Sequence, residues 1–223
     1  MNEAIELNHG LVRTGLRRKV YFALKRIFDL GVGLFGILVL IPIVVLVKIG
    51  YMLTGDFHKV IFSQKRIGKD GHEFKFYKFR SMVPNADEVL FKLLKEDKEL
   101  AKEYKENKKL KDDPRITKVG KFIRKTSIDE LPQMINVFLG DMSLIGNRPY
   151  LPREVEDMGE FYKDIIKTKP GLTGYWQVMG RSNTTFVKRL ELEKYYSNHA
   201  SLKLDIKIFF KTFKVVLFKE GAE

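Results

Sequence analysis

The chain has 223 residues, enough for one domain or a compact domain plus an anchoring segment. Its 41 lysines and arginines against 28 aspartates and glutamates leave a formal charge of +13, which points to an anionic partner: nucleic acid, acidic lipid or a phosphorylated substrate. Apolar residues make up 44%, sufficient for a core, and the lack of cysteine excludes disulfides and cysteine-based zinc sites.

In chain order, residues 1–20 read as a basic N-terminal extension, 21–50 as a membrane segment and 51–223 as a catalytic domain. Leu11 to Asp29 mixes basic and apolar residues at helical spacing, the pattern of a helix lying at a membrane interface. Leu30 to Val47 then runs for 18 residues without a charge, at the lower edge of what spans a bilayer. It begins too late, behind the basic stretch Arg13 to Arg26, to be a secretory signal. Pro42 lies inside this run. Its ring removes one backbone donor and crowds the carbonyl of Leu38. Basic clusters flank both sides: Arg17, Arg18, Lys25 and Arg26 before it, Lys48, Lys59, Lys65 and Arg66 after. A simple crossing would place one cluster outside, against the positive-inside tendency. The sequence therefore predicts a helix broken at Ile41–Pro42 that enters and leaves by one face, with a crossing helix as the alternative.

Val60 to Ser63 and Glu73 to Phe79, joined across Gly68-Lys69-Asp70-Gly71, predict a β-hairpin. Ala86 to Leu110 is rich in Lys, Glu and Leu and predicts one solvated helix, ended by Asp112-Asp113-Pro114. Short helices are expected over Thr117–Lys125 and Ser127–Phe138. Near the C-terminus Lys203, Lys207, Lys211 and Lys214 recur every three or four residues beside Phe209, Phe210, Phe213, Val216 and Leu217. This suits either a helix at the headgroup boundary or a core helix with one wet edge. The expected fold class is α+β and predominantly helical: a re-entrant membrane helix-break-helix, interfacial amphipathic helices and a small cytoplasmic catalytic domain carrying the hairpin.

The chemistry concentrates in Lys121 to Gln133, KFIRKTSIDELPQ. Ser127 and Glu130 have capping-box spacing, which would put Asp129 in a first helical turn with Pro132 close enough to the start to be tolerated. The positive end of a helix favours both an ionised carboxylate and a phosphate. Asp129 and Glu130 beside Arg124 and Lys125 thus make a place for phosphoryl chemistry, one carboxylate attacking phosphorus and the other holding a divalent cation. On its own, an acidic pair at a capped helix is more often only capping.

From about Lys25 onward the chain resembles the monotopic polyprenyl-phosphate phosphoglycosyl transferases of the bacterial sugar transferase family. KRIFD with its Pro-broken run, FKFYKFRSM, DPRITKVGKFIRKTSIDELPQ, GDMSLIGNRP and KPGLTGYWQVMGRS occur in order. The resemblance implies that Asp129 attacks the β-phosphate of a UDP-sugar, releases UMP and forms an aspartyl-phosphosugar that polyprenyl phosphate then takes. It assigns Glu130 to Mg²⁺, Lys78 and Arg124 to active-site cations, and Arg148 and Arg181 to nucleotide or phosphate. Asn147-Arg148-Pro149 departs from the family's frequent Pro-Arg-Pro, and Trp176 and Met179 fall at variable places. NRPYLPRE and GYWQVMGRS favour the hexose-1-phosphate branch, galactose or glucose. The implied partners are a UDP-sugar, undecaprenyl phosphate and anionic membrane lipids, with no nucleic acid; a homodimer is compatible. The implied location is the cytoplasmic face of the bacterial inner membrane. The competing reading is a basic membrane-tethered binding module without catalysis, which would leave the acidic pair idle.

Overall fold

The structure is a computed structural model that describes residues 2–107, 110–180 and 184–218. One long helix, α1 (Asn2–Leu53), carries Pro42 in its interior. The hairpin follows: β1 (Ile61–Ile67) pairs antiparallel with β2 (Glu73–Phe79), with Ile61 opposite Phe79 and Ile67 opposite Glu73. Then come α2 (Ala86–Glu96), α3 (Lys98–Asn107), α4 (Lys118–Lys125) and α5 (Gln133–Leu139). The strand β3 (Ser143–Ile145) is followed by two single-turn helices, α6 (Val155–Met158) and α7 (Tyr162–Ile165). β4 (Gly171–Thr173) pairs in parallel with β3. The chain closes with α8 (Tyr175–Met179), α9 (Phe186–His199) and α10 (Leu202–Phe218). The α+β, mainly helical class is as expected.

Three sequence expectations are corrected. The predicted break at Ile41–Pro42 is not an interruption, because α1 continues helically through it. A proline removes one backbone bond and strains one turn, at about 3 kcal/mol, which packing along the rest of a helix this long can offset. The single helix over residues 86–110 is two, because Asp97 turns extended and its side chain accepts from the backbone N–H groups of Glu99 and Leu100 at 2.8 and 3.1 Å. Finally, Ser127 does not cap a helix. It takes a left-handed conformation (φ 56°), its side chain makes no capping bond, and Ile128–Glu130 forms a 3-10 turn. The α-helix starts only after Pro132.

One face of α1 is stitched to the globular part over most of its length. Asp205 on α10 accepts from Tyr21 Oη (2.8 Å), Lys25 Nζ (2.5 Å) and Tyr196 Oη (2.8 Å). Arg26 donates to the carbonyls of Val137 and Phe138 at 2.7 and 2.8 Å, satisfying the open C-terminal end of α5. Buried Asp29 accepts from Ser143 Oγ and the Leu144 amide at 3.1 and 2.9 Å. Further along, Gly33 and Gly36 let α5 approach closely: a Cβ on Gly33 would sit 3.0 Å from the Phe138 nitrogen, and one on Gly36 2.4 Å from Met134 Cγ. Leu40, Val47 and Tyr51 then join Val60, Phe79 and Ile123 in one apolar cluster. Tyr51 Oη donates to the Arg80 carbonyl.

The opposite side of α1 is bare. Leu24, Ile27, Phe28, Leu34, Phe35, Leu38 and Ile41 are exposed before Pro42 settles into the next turn, and Val45, Leu46, Ile49 and Leu53 after it. Residues Gly15–Leu53 are long and apolar enough to cross a membrane by length and composition. On α10, Leu202, Ile206, Phe210 and Phe213 are exposed beside Lys203, Lys207 and Lys214.

Candidate active site

The acidic pair is placed by apolar anchors on both sides. Ile128 and Leu131 bracket Asp129-Glu130 and pack into the cluster of Val47, Phe79 and Ile123, together with Ile135 on α5. Burying them draws the 3-10 turn inward and takes Asp129 with it, leaving that residue 7% exposed. Upstream, Thr117 caps α4 by accepting from the Gly120 amide at 2.9 Å. Gly120 lies against the Ser81 carbonyl, where a Cβ would come within 1.9 Å.

The opposing cation comes from the hairpin. Asn136, fully buried, accepts from the Tyr77 amide at 3.1 Å and donates to the Lys75 carbonyl at 2.6 Å. One side chain thereby clamps α5 to the open edge of β2, and the strand then presents Lys78. Its Nζ stands 3.3 Å from Asp129 Oδ2 and 3.0 Å from Glu130 Oε1. Arg124, at the end of α4, donates from Nε to Ser81 Oγ at 2.8 Å. Burial pushes the Asp129 carboxyl above the usual aspartate value, and the negative Glu130 adds to this; Lys78 and Arg124 pull the other way without cancelling it. The result is a desolvated carboxylate facing a single ammonium it shares with a more exposed glutamate, whose side chain is 38% exposed.

The structure therefore brings together Lys78, Arg124, Asp129 and Glu130. Arg148 belongs to an adjoining cluster: its backbone N–H donates to Glu193 Oε1 at 2.8 Å, and Arg66 and Arg189 lie near enough for its charge to lower both. Burial is the larger cause for each, and holds Arg66 down to about 10. The cluster adjoins the acidic pair, since Arg66 Cζ and Lys78 Nζ stand 5.2 and 5.9 Å from the centroid of the same Phe76 ring. No local signal in the sequence marks Arg66 and Arg189, because they converge with Arg148 only through packing of β1, the loop after β3, and α9. Arg189 also covers the Trp176 ring at 4.5 Å. Asn147 is buried and shapes the loop, donating to Ser197 Oγ at 2.6 Å and the Ile165 carbonyl at 3.1 Å. Met179 accepts a contact from Lys211 Nζ at 3.0 Å. Arg181 lies outside the described residues.

Among the described residues no three metal-ligating side chains converge. Magnesium does not need such a cage: it takes one or two carboxylates and completes its shell with water and substrate phosphate oxygens. The pair Asp129 and Glu130 fits that mode, with Glu130 the more accessible of the two.

A buried acid–cation site sits on a domain docked along a helix long and apolar enough to cross a membrane by length and composition. Comparison with known proteins gives the family: residues 20–219 match the bacterial sugar transferase model, and the chain belongs to that family. It is 42% identical over 211 residues to the undecaprenyl-phosphate galactose phosphotransferase of Salmonella typhimurium, covering 95% of this chain and 44% of that protein. It is 37% identical to the exopolysaccharide production protein ExoY of Sinorhizobium fredii, covering 94% of this chain and 92% of that one. With the UDP-glucose:undecaprenyl-phosphate glucose-1-phosphate transferase of Escherichia coli it shares 36% identity, over 85% of this chain and 39% of the relative. The chain thus spans less than half the length of the Salmonella and Escherichia proteins.

Proposed function

We propose that the chain transfers a hexose-1-phosphate, galactose or glucose, from a UDP-sugar to undecaprenyl phosphate through an aspartyl-phosphosugar intermediate, as the first membrane step of exopolysaccharide, capsule or O-antigen synthesis. The observation that carries this reading is the buried Asp129 carboxylate held 3.3 Å from Lys78 Nζ, beside Glu130, in a domain docked along an apolar helix. A carboxylate stripped of water but not fully neutralised is a nucleophile in waiting. An Asp129 oxygen attacks the β-phosphorus; the bond from that phosphorus to the oxygen bridging the two phosphates breaks, and UMP leaves with the electron pair. A phosphate oxygen of the lipid acceptor then attacks the same phosphorus and releases the carboxylate. In this reading Lys78 and Arg124 offset charge on the phosphoryl oxygens, and the Arg66–Arg148–Arg189 cluster is assigned to the rest of the nucleotide. Glu130 would hold Mg²⁺, which supplies charge neutralisation at the diphosphate.

The same reading includes a monotopic topology on the cytoplasmic face of the inner membrane, with the bare side of α1 and the Lys-edged face of α10 in the lipid. Tyr21 and Tyr51 lie about 45 Å apart along α1, more than the ~30 Å hydrocarbon thickness, yet both bond to the same globular part. A perpendicular crossing would drag that part, charges included, into the hydrocarbon. A continuous α1 lying along one face of the bilayer, its bare side in the lipid, avoids this.

The test is UMP release from UDP-galactose and UDP-glucose with undecaprenyl phosphate and Mg²⁺. Release that vanishes in Asp129→Asn supports the reading. Sugar-nucleotide binding without any UMP release would favour a non-catalytic binding module instead.

A further inference from the structure

A second cluster of cations lies outside the site above. A cavity of about 380 Å³ opens between the N-terminal half of α1, the loop before β4 and the turn into α10. Arg18, Lys25, Arg26, Lys69, Lys167 and Lys169 line it, against a single lining carboxylate, Asp29, which is already engaged by Ser143 and Leu144. Four of the six cations have partners of their own. Lys25 is bound to Asp205, Arg26 to two helix-end carbonyls, Lys69 to Asp70 at 3.6 Å and Lys167 to Asp164.

Lys169 differs. It is half-buried, and among the described residues no acid lies within ion-pair distance of it. A Cβ placed on Gly140 would lie 3.1 Å from Arg26 Nη2 and 3.4 Å from Lys169 Nζ, so the two cations face each other across that glycine. Burial lowers the Lys169 ammonium from its ordinary value and the charges of Arg26 and Lys69 lower it further, while Asp29 and Asp141 act in the opposite direction without cancelling them. A partly buried ammonium with more cations than carboxylates around it, in a roomy cavity, is stabilised by an entering anion. The rigid placement of Arg26 by the α5 carbonyls and of Lys25 by Asp205 means little reorganisation is needed to receive one.

We propose that this cavity is a phosphate-binding site distinct from the acidic pair. It sits at the opposite end of α5: Arg26 caps the last carbonyls, whereas Asp129 precedes the first turn, about 10 Å away along the helix. A phosphoester suits it by charge and by size. The phosphate could be carried by a lipid headgroup or be free in solution, and the experiment separates the two.

The site does not depend on the transferase reading. Full-length protein is placed in phosphatidylcholine nanodiscs, all in a Lys78→Gln background that weakens phosphate binding at the acidic pair. Inorganic phosphate is titrated calorimetrically, and retention of phosphatidylglycerol over phosphatidylcholine is read by native mass spectrometry. Lys169→Gln is expected to weaken binding by about tenfold or more, and Lys169→Arg to restore it to within about threefold. Loss of phosphatidylglycerol retention in Lys169→Gln identifies a lipid headgroup; loss of phosphate binding alone identifies a soluble phosphoester. Unchanged behaviour of Lys169→Gln in both arms overturns the proposal, and so does equal loss in Lys169→Arg, because charge would then not be what binds.

Discussion

Asp129 combines two demands that oppose each other. Folding raises its pKa, so between the ordinary aspartate value and the raised one the folded chain binds more protons than the unfolded chain. Stability therefore falls as pH climbs through that window and stays lower above it. Asp129→Asn should reduce turnover by about a thousandfold or more, since an amide is a poor nucleophile. At neutral pH the same variant should melt at or above the wild-type temperature, read by circular dichroism; a marked loss of stability would mean the carboxylate is held for structure. Glu193 makes a second, separable case. Fully buried, it is pushed up to about 7, mostly by burial, while the Arg148 amide and the charges of Arg148 and Arg189 act in the opposite direction. Its raised value costs the folded state stability as pH rises from about 4.5 to about 7. Glu193→Gln keeps an acceptor for the Arg148 amide and should flatten the pH dependence of the unfolding midpoint in that window, without changing it below the window.

Single elements position the chemistry through a few unusual contacts. Asn136→Leu would leave the Tyr77 amide and Lys75 carbonyl without their clamp, and should cost about 1–3 kcal/mol or more in urea unfolding while raising the KM for donor as Lys78 loosens. Gly120→Ala should destabilise by about 1–3 kcal/mol, because its Cβ meets the Ser81 backbone rather than a yielding side chain. The hairpin and α4 were legible from local signals: alternation around Gly68–Gly71, and Thr117 ahead of a basic helix. The acidic pair itself was visible, but its setting was not. Ser127 in a left-handed conformation and a 3-10 turn held by Ile128 and Leu131 depend on where Val47 and Phe79 sit, and capping-box spacing carries no such information. The convergence of Arg66 and Arg189 is invisible in the sequence for the same reason, since nothing local marks a strand arginine and a helix arginine as neighbours. Pro42 misled in the other direction. A local helix-breaking signal was overridden by contacts on both sides of it, from Arg26 to Tyr51.

At the scale of the whole molecule, the bare apolar side of α1 and the buried Asp129 lie on elements packed against one another through a shared apolar cluster. This would let a water-soluble donor and a lipid-borne acceptor meet without either crossing the hydrocarbon. Because the chain has no cysteine, single substitutions label cleanly. Lys19→Cys and Lys65→Cys should react with an impermeant maleimide from the same side of sealed vesicles; labelling from opposite sides would establish a crossing helix. The central claim is tested by separating the half-reactions. Protein in acceptor-free nanodiscs is mixed with UDP-hexose and Mg²⁺, quenched and digested. The account predicts a phosphohexose on the peptide containing Asp129, lost when undecaprenyl phosphate is added before the quench. Catalytic turnover with no adduct on that peptide under any quench would contradict it.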